Sequence, residues 1–171
     1  MALVVTVLAM AHLFGRDMVK EIVISKSERT LVALGESGRV LKRIPIGLGR
    51  SENGHKQREG DERTPEGDYR VCFKNTRSRF HLSLGLDYPN PADAADGLRD
   101  GVLTAAEHDA IVEAHRRGDV PPWKTALGGE IFIHGGLDVH PATAGCVAIR
   151  DRDVEELFAL VELGTPVRIL P

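Results

Sequence analysis

The 171-residue chain has few of the features that would assign it to a specialised class of protein. Its two cysteines allow one disulfide at most, which excludes a disulfide-rich scaffold. Lys and Arg number 22 against 25 Asp and Glu, so no basic excess indicates a nucleic-acid partner. Aromatic residues make up 5% of the chain, yet 42% is hydrophobic, which excludes a disordered polypeptide. This length and composition fit one compact domain.

The amino terminus carries an apolar segment that is too short to cross a membrane as a helix. Residues 1–14 are uncharged apart from one histidine, whereas a spanning helix needs about 20 apolar residues. The length is typical of a secretory signal peptide, although the usual basic leader is missing. A buried first strand at residues 4–7 is the alternative. We expect a signal or anchor remnant at residues 1–17, a folded domain at residues 18–171, and an exported protein.

The first half of the domain predicts a meander of short antiparallel strands. Apolar and β-branched segments at residues 19–24, 30–34 and 40–48 are separated by polar clusters. A polar, glycine-rich stretch follows at residues 49–67. We interpret it as an exposed functional loop rather than a linker, because too little chain precedes it to form a separate domain. Alternation of apolar and polar residues then predicts another strand at residues 68–74.

Two helices and a closing strand are predicted in the second half. The first helix covers residues 104–117, where Thr104 can cap the start and Glu107 can reach back to it. The second has apolar side chains at helical spacing over residues 151–163. A strand at residues 166–170 ends the chain. These elements predict a mainly β, α+β domain with two peripheral helices.

One segment carries a reactive residue at the end of each of two strand-like runs. Residues 131–133 are apolar and are followed by His134, and Cys146 opens the second run. A cysteine thiol is mostly protonated at neutral pH, so an imidazole would be needed to take its proton and deliver it to a leaving amine. Gly145 would let backbone amides approach an attacked carbonyl. A buried cysteine and a core histidine are the alternative, and a bare Cys/His pair more often has this origin.

Several ordered motifs accompany this pair. His134 is followed by Gly135, and a spacer leads to Thr143-Ala144-Gly145-Cys146-Val147. This order resembles the signature of the L,D-transpeptidase (YkuD-type) catalytic domain, in which His-Gly precedes Ser/Thr-x-Gly-Cys. Further segments resemble the family, and in particular its YafK-like murein-acting branch: residues 56–69, 74–75, 78–81, 87–90 and 163–167. The resemblance extends over about residues 20–171.

The resemblance implies a mixed β-sandwich of the L,D-transpeptidase type and cysteine-dependent acyl transfer on peptidoglycan stem peptides. Cys146 would be the nucleophile that forms a thioester acyl-enzyme, and His134 would be its base. Gly135 would orient the imidazole through a backbone carbonyl, and Gly145 would help Cys146 to supply oxyanion amides. The substrate-binding residues would be Thr143, Arg150 and Lys56. Lys56 could instead pin the long polar loop.

Two departures from the family's pattern bear on the reaction. Transpeptidases usually carry His before Gly-Cys and Arg two residues after Cys, where this chain has Ala144 and Ala148. Strand alternation would place Arg150 on the same side as Ala148. We therefore expect a hydrolase, such as a murein amidase or carboxypeptidase, in which water resolves the acyl-enzyme. A transpeptidase that forms cross-links or attaches proteins to murein, and a non-catalytic murein-binding module, are the alternatives.

The expected setting is the periplasm or cell envelope, with no cofactor. The YafK-like branch is linked to hydrolytic release of a lipoprotein from murein, so a murein-linked lipoprotein is an expected partner. His134, His140 and Asp138 could hold zinc, but the chain has no His-Glu-x-x-His helix or equivalent, and no metal site is expected. Cys72 is expected in the core because it lies in the middle of a predicted strand, between Val71 and Phe73. A disulfide with Cys146 would block the proposed nucleophile.

Overall fold

The computed structural model describes residues 17–171, so the predicted signal or anchor remnant lies almost entirely outside the described residues, as does the alternative first strand. Within the described range the strands are β1 (Glu21–Ser25), β2 (Thr30–Leu34), β3 (Val40–Pro45), β4 (Leu48–Gly49), β5 (Gly67–Ser78), β6 (His81–Leu86), β7 (Phe132–His134), β8 (Ala142–Thr143), β9 (Val147–Ala148) and β10 (Pro166–Leu170). The α-helices are α1 (Pro91–Arg99), α2 (Ala105–Arg117) and α3 (Asp151–Leu160). None of these helices is long and apolar enough to cross a membrane.

Eight of the strands form one mixed sheet in the order β3-β2-β1-β10-β5-β6-β7-β9. The pairs β1–β10 and β7–β9 are parallel, and the other pairs are antiparallel. The sheet curls until its ends meet, because Gly47 and Ala148 exchange backbone hydrogen bonds of 2.8 and 2.9 Å. Strands β4 and β8 pair in parallel beside this closure. The predicted mainly β architecture is confirmed.

The core lies inside the curl and follows from period-2 alternation in the strands. Alternate side chains of β1, β2 and β10 are almost completely buried: Ile22, Ile24, Leu31, Ala33, Val167 and Ile169. Helix α3 adds Val154 and Leu157 to the same core, through its contact with β6 and β7. Burial of these apolar surfaces, at about 25 cal/mol per Å², supplies the main stabilisation of the sheet that carries the site.

The predicted helices are present, and a third is added. Thr104 caps α2 as expected, because its hydroxyl accepts from the Glu107 amide while the Glu107 carboxylate accepts from the Thr104 amide. Helix α3 ends at Leu160, three residues before the predicted end. There the Lys74 ammonium group donates hydrogen bonds to the carbonyl oxygens of Phe158 and Val161. Helix α1 was not predicted, although Asn90 forms a capping box at its start.

Two buried lysines stabilise the long polar loop between β4 and β5. Lys26 donates to the carbonyl oxygens of Gly54 and Thr64 and pairs with Glu66. Lys56 is 2% exposed and donates to Asp61 at 3.0 Å. The Lys26 bonds hold the loop against the turn between β1 and β2, whereas the Lys56 bond lies within the loop.

Candidate active site

The register of β7 and β9 brings Cys146 and His134 to one face of the sheet. Ile133 pairs with Val147, and His134 pairs with Ala148. The same parallel register, extended by one residue, places Cys146 beside Phe132. The Phe132 N–H donates to the Cys146 sulfur at 3.4 Å. Because alternate residues of a strand share a face, Phe132 and His134 point the same way as Cys146.

Both side chains open into one cleft at this end of the sheet. The cleft has a volume of about 500 Å³. It is lined by Arg50, Arg79, Phe80, His134, His140, Ala142, Thr143, Ala144 and Cys146. A cavity of this size can hold a short peptide segment beside the thiol.

The imidazole of His134 is held in a fixed orientation. The side chain is 3% exposed, and its Nδ1 lies 2.6 Å from the carbonyl oxygen of Gly135. A carbonyl only accepts hydrogen bonds, so Nδ1 carries the proton and Nε2 is the free basic nitrogen. Phe80 stacks on the ring, with centroids 4.4 Å apart and planes 19° from parallel.

The surroundings favour the neutral forms of both candidate reactive groups. Burial lowers the pKa of His134, the field of Arg79 lowers it further, and the hydrogen bond to Gly135 opposes the shift only in part. Burial raises the pKa of Cys146, against a smaller opposing effect of the Phe132 amide. The thiol accordingly donates to the carbonyl oxygen of Glu130 at 3.4 Å. At rest the cleft therefore contains a protonated thiol and a neutral imidazole.

A tight turn presents Cys146. The Thr143 hydroxyl donates to the Cys146 carbonyl at 2.7 Å and accepts from the Gly145 amide at 3.0 Å. Gly145 has φ +133°, and a Cβ there would lie 2.8 Å from the Arg63 carbonyl oxygen, so only glycine fits. Thr143 thus lines the cleft as expected, and it also builds the turn. The Gly145 amide, predicted as an oxyanion donor, is already engaged by that hydroxyl.

Gly135, next to His134, is closely approached by two other parts of the chain. A Cβ at Gly135 would lie 2.5 Å from the Asp151 carboxylate and 2.7 Å from the Phe80 carbonyl oxygen. Asp151 also accepts from the Gly136 amide at 2.7 Å. The absence of a side chain at Gly135 therefore lets the β5–β6 turn and the start of α3 approach the carbonyl that orients His134.

Two predicted substrate-binding residues lie outside the cleft. Arg150 precedes the first residue of α3 and donates to Asp138 at 3.3 Å over a separate surface depression. Strand alternation misplaced it, because β9 ends at Ala148 and the chain turns into the helix. Lys56 is buried within the polar loop, where it contacts Asp61 and the Arg58 carbonyl oxygen.

Several residues that line the cleft could not be recognised from the sequence. Phe80 stacks on His134, and His140 meets the Phe80 ring edge-on at a centroid distance of 5.7 Å. The Arg79 guanidinium lies 4.8 Å from the Phe80 centroid. Residues 78–81 had been noted for their family resemblance, but that signal did not indicate contact with His134. The contact arises because β6 pairs with β7, which brings the hairpin turn to the imidazole.

Neither cysteine forms a disulfide in the described structure. Cys72 is half-buried, and burial together with the nearby Asp87 charge raises its pKa to about 12. Among residues 17–171, no group of three or more His, Cys, Asp or Glu side chains is arranged to hold a metal ion. Cys146 is thus the cysteine that opens into the cleft, while Cys72 stays protonated away from it.

Comparison with protein families identifies the domain. The model of the L,D-transpeptidase catalytic domain (YkuD) matches residues 19–169. The chain belongs to this family. The predicted resemblance to this family is therefore confirmed.

A curated relative shares part of this chain's sequence. The "Putative L,D-transpeptidase YafK" of Escherichia coli strain K12 is 28% identical over 143 residues, which are 81% of this chain and 45% of the relative. The chain thus spans less than half the length of that relative. The shared region is consistent with the family's catalytic domain.

Solved structures share the fold at low identity. Pgp2, the helical cell shape determining protein of Campylobacter jejuni, has a TM-score of 0.62 at 23% identity, over 90% of this chain and 48% of that one. Bd1075 of Bdellovibrio bacteriovorus has a TM-score of 0.59 at 21% identity, over 90% and 48%. An L,D-transpeptidase of Xylanimonas cellulosilytica has 0.53 at 18%, over 91% and 62%. The predicted L,D-transpeptidase fold is confirmed.

Proposed function

We propose that the protein is a cysteine acyltransferase that acts on peptidoglycan stem peptides through a thioester acyl-enzyme. Cys146 is the nucleophile, and His134 is the general base. The observation that carries the proposal is the bond from His134 Nδ1 to the Gly135 carbonyl oxygen, which leaves Nε2 free to accept a proton in the cleft that Cys146 lines.

The reaction begins from the neutral pair. When a peptide carbonyl enters the cleft, the Cys146 S–H rotates away from the Glu130 carbonyl oxygen and transfers its proton to His134 Nε2 as sulfur attacks carbon. The tetrahedral intermediate collapses with cleavage of the C–N bond, and the imidazolium gives its proton to the leaving amine. The acyl group is left on sulfur as a thioester, attached through the carbonyl carbon.

Backbone amides at the Cys146 turn would stabilise the oxyanion. The Cys146 amide is the first donor, because the Gly145 amide must exchange the Thr143 hydroxyl for the substrate oxygen before it can contribute. A single oxyanion donor contributes about 3–4 kcal/mol to transition-state stabilisation. The rigid Thr143 turn supports this role, since it holds both amides beside the sulfur.

Water is the proposed acceptor, which makes the protein a murein hydrolase. Ala148 is completely buried in the sheet closure, and Ala144 adds a methyl group to the cleft wall, so neither position offers a polar group to hold an acceptor amine. His134 would deprotonate the water that attacks the thioester, and sulfur would recover the proton. Because peptidoglycan lies outside the cytoplasmic membrane, the protein acts in the periplasm or envelope, and a murein-linked lipoprotein is a proposed substrate.

Purified protein incubated with peptidoglycan sacculi tests the proposal. Soluble products are identified by mass for the wild type, Cys146→Ala and the matched control Cys72→Ala. We expect trimmed or released peptides from the wild type and from Cys72→Ala, and none from Cys146→Ala. Cross-linked dimers in place of trimmed peptides would contradict the hydrolase assignment. Activity retained by Cys146→Ala, or abolished by a chelator, would contradict the thiol mechanism.

A further inference from the structure

An arginine without an ion-pair partner stands at the wall of the cleft. Arg79 occupies the two-residue turn between β5 and β6 and lines the cleft together with Cys146. Among residues 17–171 it forms no salt bridge, and residues 1–16 contain no Asp or Glu that could supply one. An exposed cation in a peptide-binding cleft is therefore available to an anionic group of the ligand.

The other arginine of the cleft is already neutralised. Arg50 pairs with the Glu62 carboxylate at 2.8 Å. A ligand carboxylate would have to compete with Glu62 for its guanidinium, so Arg50 is the weaker receptor. Since Arg50 is paired and Arg79 is not, the better anion-binding group lies at the β5–β6 turn.

The Arg79 guanidinium lies over an aromatic ring of the cleft wall. It lies 4.8 Å from the centroid of Phe80, the ring that also stacks on His134. Stacking on a ring occupies one face of a guanidinium, whereas its N–H donors lie along the edge and stay free for a bidentate carboxylate. The positive charge acts on both groups, since its field adds to the lowering of the His134 pKa and opposes part of the rise in the Cys146 pKa. Arg79 therefore lies near the reacting atoms.

We propose that Arg79 is the receptor for a substrate carboxylate that lies next to the amide attacked by Cys146. The inference rests on the proposed function, since it names the group that the same cleft recognises. Two carboxylates of a stem peptide have this chemistry: the terminal carboxylate beyond the scissile bond, and the side-chain carboxylate of the diamino acid before it. Arg79 thus selects free-acid stem peptides over amidated ones.

Binding of three synthetic stem tetrapeptides tests the proposal. One peptide has both carboxylates free, one is amidated at the terminus, and one is amidated at the side-chain carboxylate. Affinity is measured by calorimetry on the Cys146→Ala protein, which we expect not to turn them over. Amidation of the recognised carboxylate is expected to weaken binding about five- to tenfold. This loss is larger than the contribution of most exposed ion pairs and smaller than that of a strong bidentate ion pair. The amidated peptide that loses affinity shows which of the two carboxylates Arg79 binds.

Arginine substitutions in the same background complete the test. Adding Arg79→Ala should weaken binding of the free acid by the same factor, and should leave the corresponding amide unaffected, while Arg79→Lys keeps part of the preference. Arg77→Ala is the matched control, because Arg77 is an exposed arginine of the same hairpin that forms no salt bridge within residues 17–171 and does not line the cleft. Thermal unfolding confirms that each variant is folded.

Three results would overturn the assignment of Arg79: equal loss for acid and amide peptides, the same loss in Arg77→Ala, or no binding of any peptide. Failure of the proposed function is detected separately. It would show as peptide turnover by the Cys146→Ala protein or no turnover by the wild type, while the binding preference for the free acid could still be measured.

Discussion

At the scale of single residues, the site depends on a thiol and an imidazole that are both uncharged at rest. Burial moves the pKa of Cys146 upward and that of His134 downward, so a preformed thiolate–imidazolium pair is disfavoured. The protein differs in this respect from thiol enzymes whose cysteine is ionised at neutral pH. In the proposed mechanism, proton transfer is therefore coupled to attack on the substrate, and we expect slow alkylation of the empty site.

Alkylation by iodoacetamide measures this protonation state directly. Since the thiolate reacts and the pKa of Cys146 is raised, the rate should be low at neutral pH and should rise throughout the alkaline range. Cys72→Ser is the control, because the pKa of Cys72 is about 12 and its removal should leave the profile unchanged. A fast rate that is already constant at neutral pH would show an ion pair and contradict the account.

The residue pattern predicted Cys146 and His134 as a pair, but it did not predict the side chains that pack around them. Cys146 and His134 stand in motifs that can be read along the chain, and so does the capping box of Thr104 and Glu107. Phe80 could not be found in this way, because its contact with His134 is created by pairing between β6 and β7. Arg150 was expected on the same side as Ala148, but strand alternation does not indicate where a strand ends, and β9 ends at Ala148.

At the scale of elements, local patterns predicted strands whose side chains alternate cleanly. β2 and β10 have the predicted bounds, because buried and more exposed side chains alternate along the whole of each strand. Helix α1 was missed although Asn90 caps it and Pro91 occupies its first position, both of which are typical of a helix start. Strand β6 was missed because its pairing with β5 depends on a turn that has no glycine.

Within the polar loop, Lys56 is expected to stabilise structure rather than bind substrate. Lys56→Met removes the bond to Asp61 and should lower the free energy of unfolding by about 1–3 kcal/mol, with KM for stem peptides unchanged. Urea unfolding and peptide kinetics measure the two effects. Lys20→Met is the control, because Lys20 is exposed and its loss should change stability little. A several-fold rise in KM without loss of stability would instead assign Lys56 to the substrate.

At the scale of the whole molecule, closure of the curled sheet positions the cleft. The exchange of hydrogen bonds between Gly47 and Ala148 joins the β3 end of the sheet to β9, directly beside the turn that carries Cys146. The sequence predicted the strands on both sides of this closure but not the closure itself. Contacts between residues 101 positions apart leave no local pattern in the chain.

Substitution of Gly47 tests the contribution of closure. A Cβ at Gly47 would lie 2.2 Å from the Pro141 carbonyl oxygen, so Gly47→Ala should lower stability by about 1–3 kcal/mol and reduce turnover by moving the Cys146 turn. Gly35→Ala is the control, since its Cβ would meet the tip of Leu41, which can move aside. Thermal unfolding and stem-peptide turnover of both variants decide the point. Unchanged stability in Gly47→Ala would contradict this role.

The most direct test of the central claim is intact-protein mass spectrometry of the acyl-enzyme. The protein is mixed with a stem peptide, quenched in acid and digested to locate the added mass. We predict a mass increase equal to the acyl portion of the peptide, located on Cys146, labile to hydroxylamine and absent from Cys146→Ala. Turnover of the peptide with no covalent adduct, or an adduct on another residue, would contradict the account.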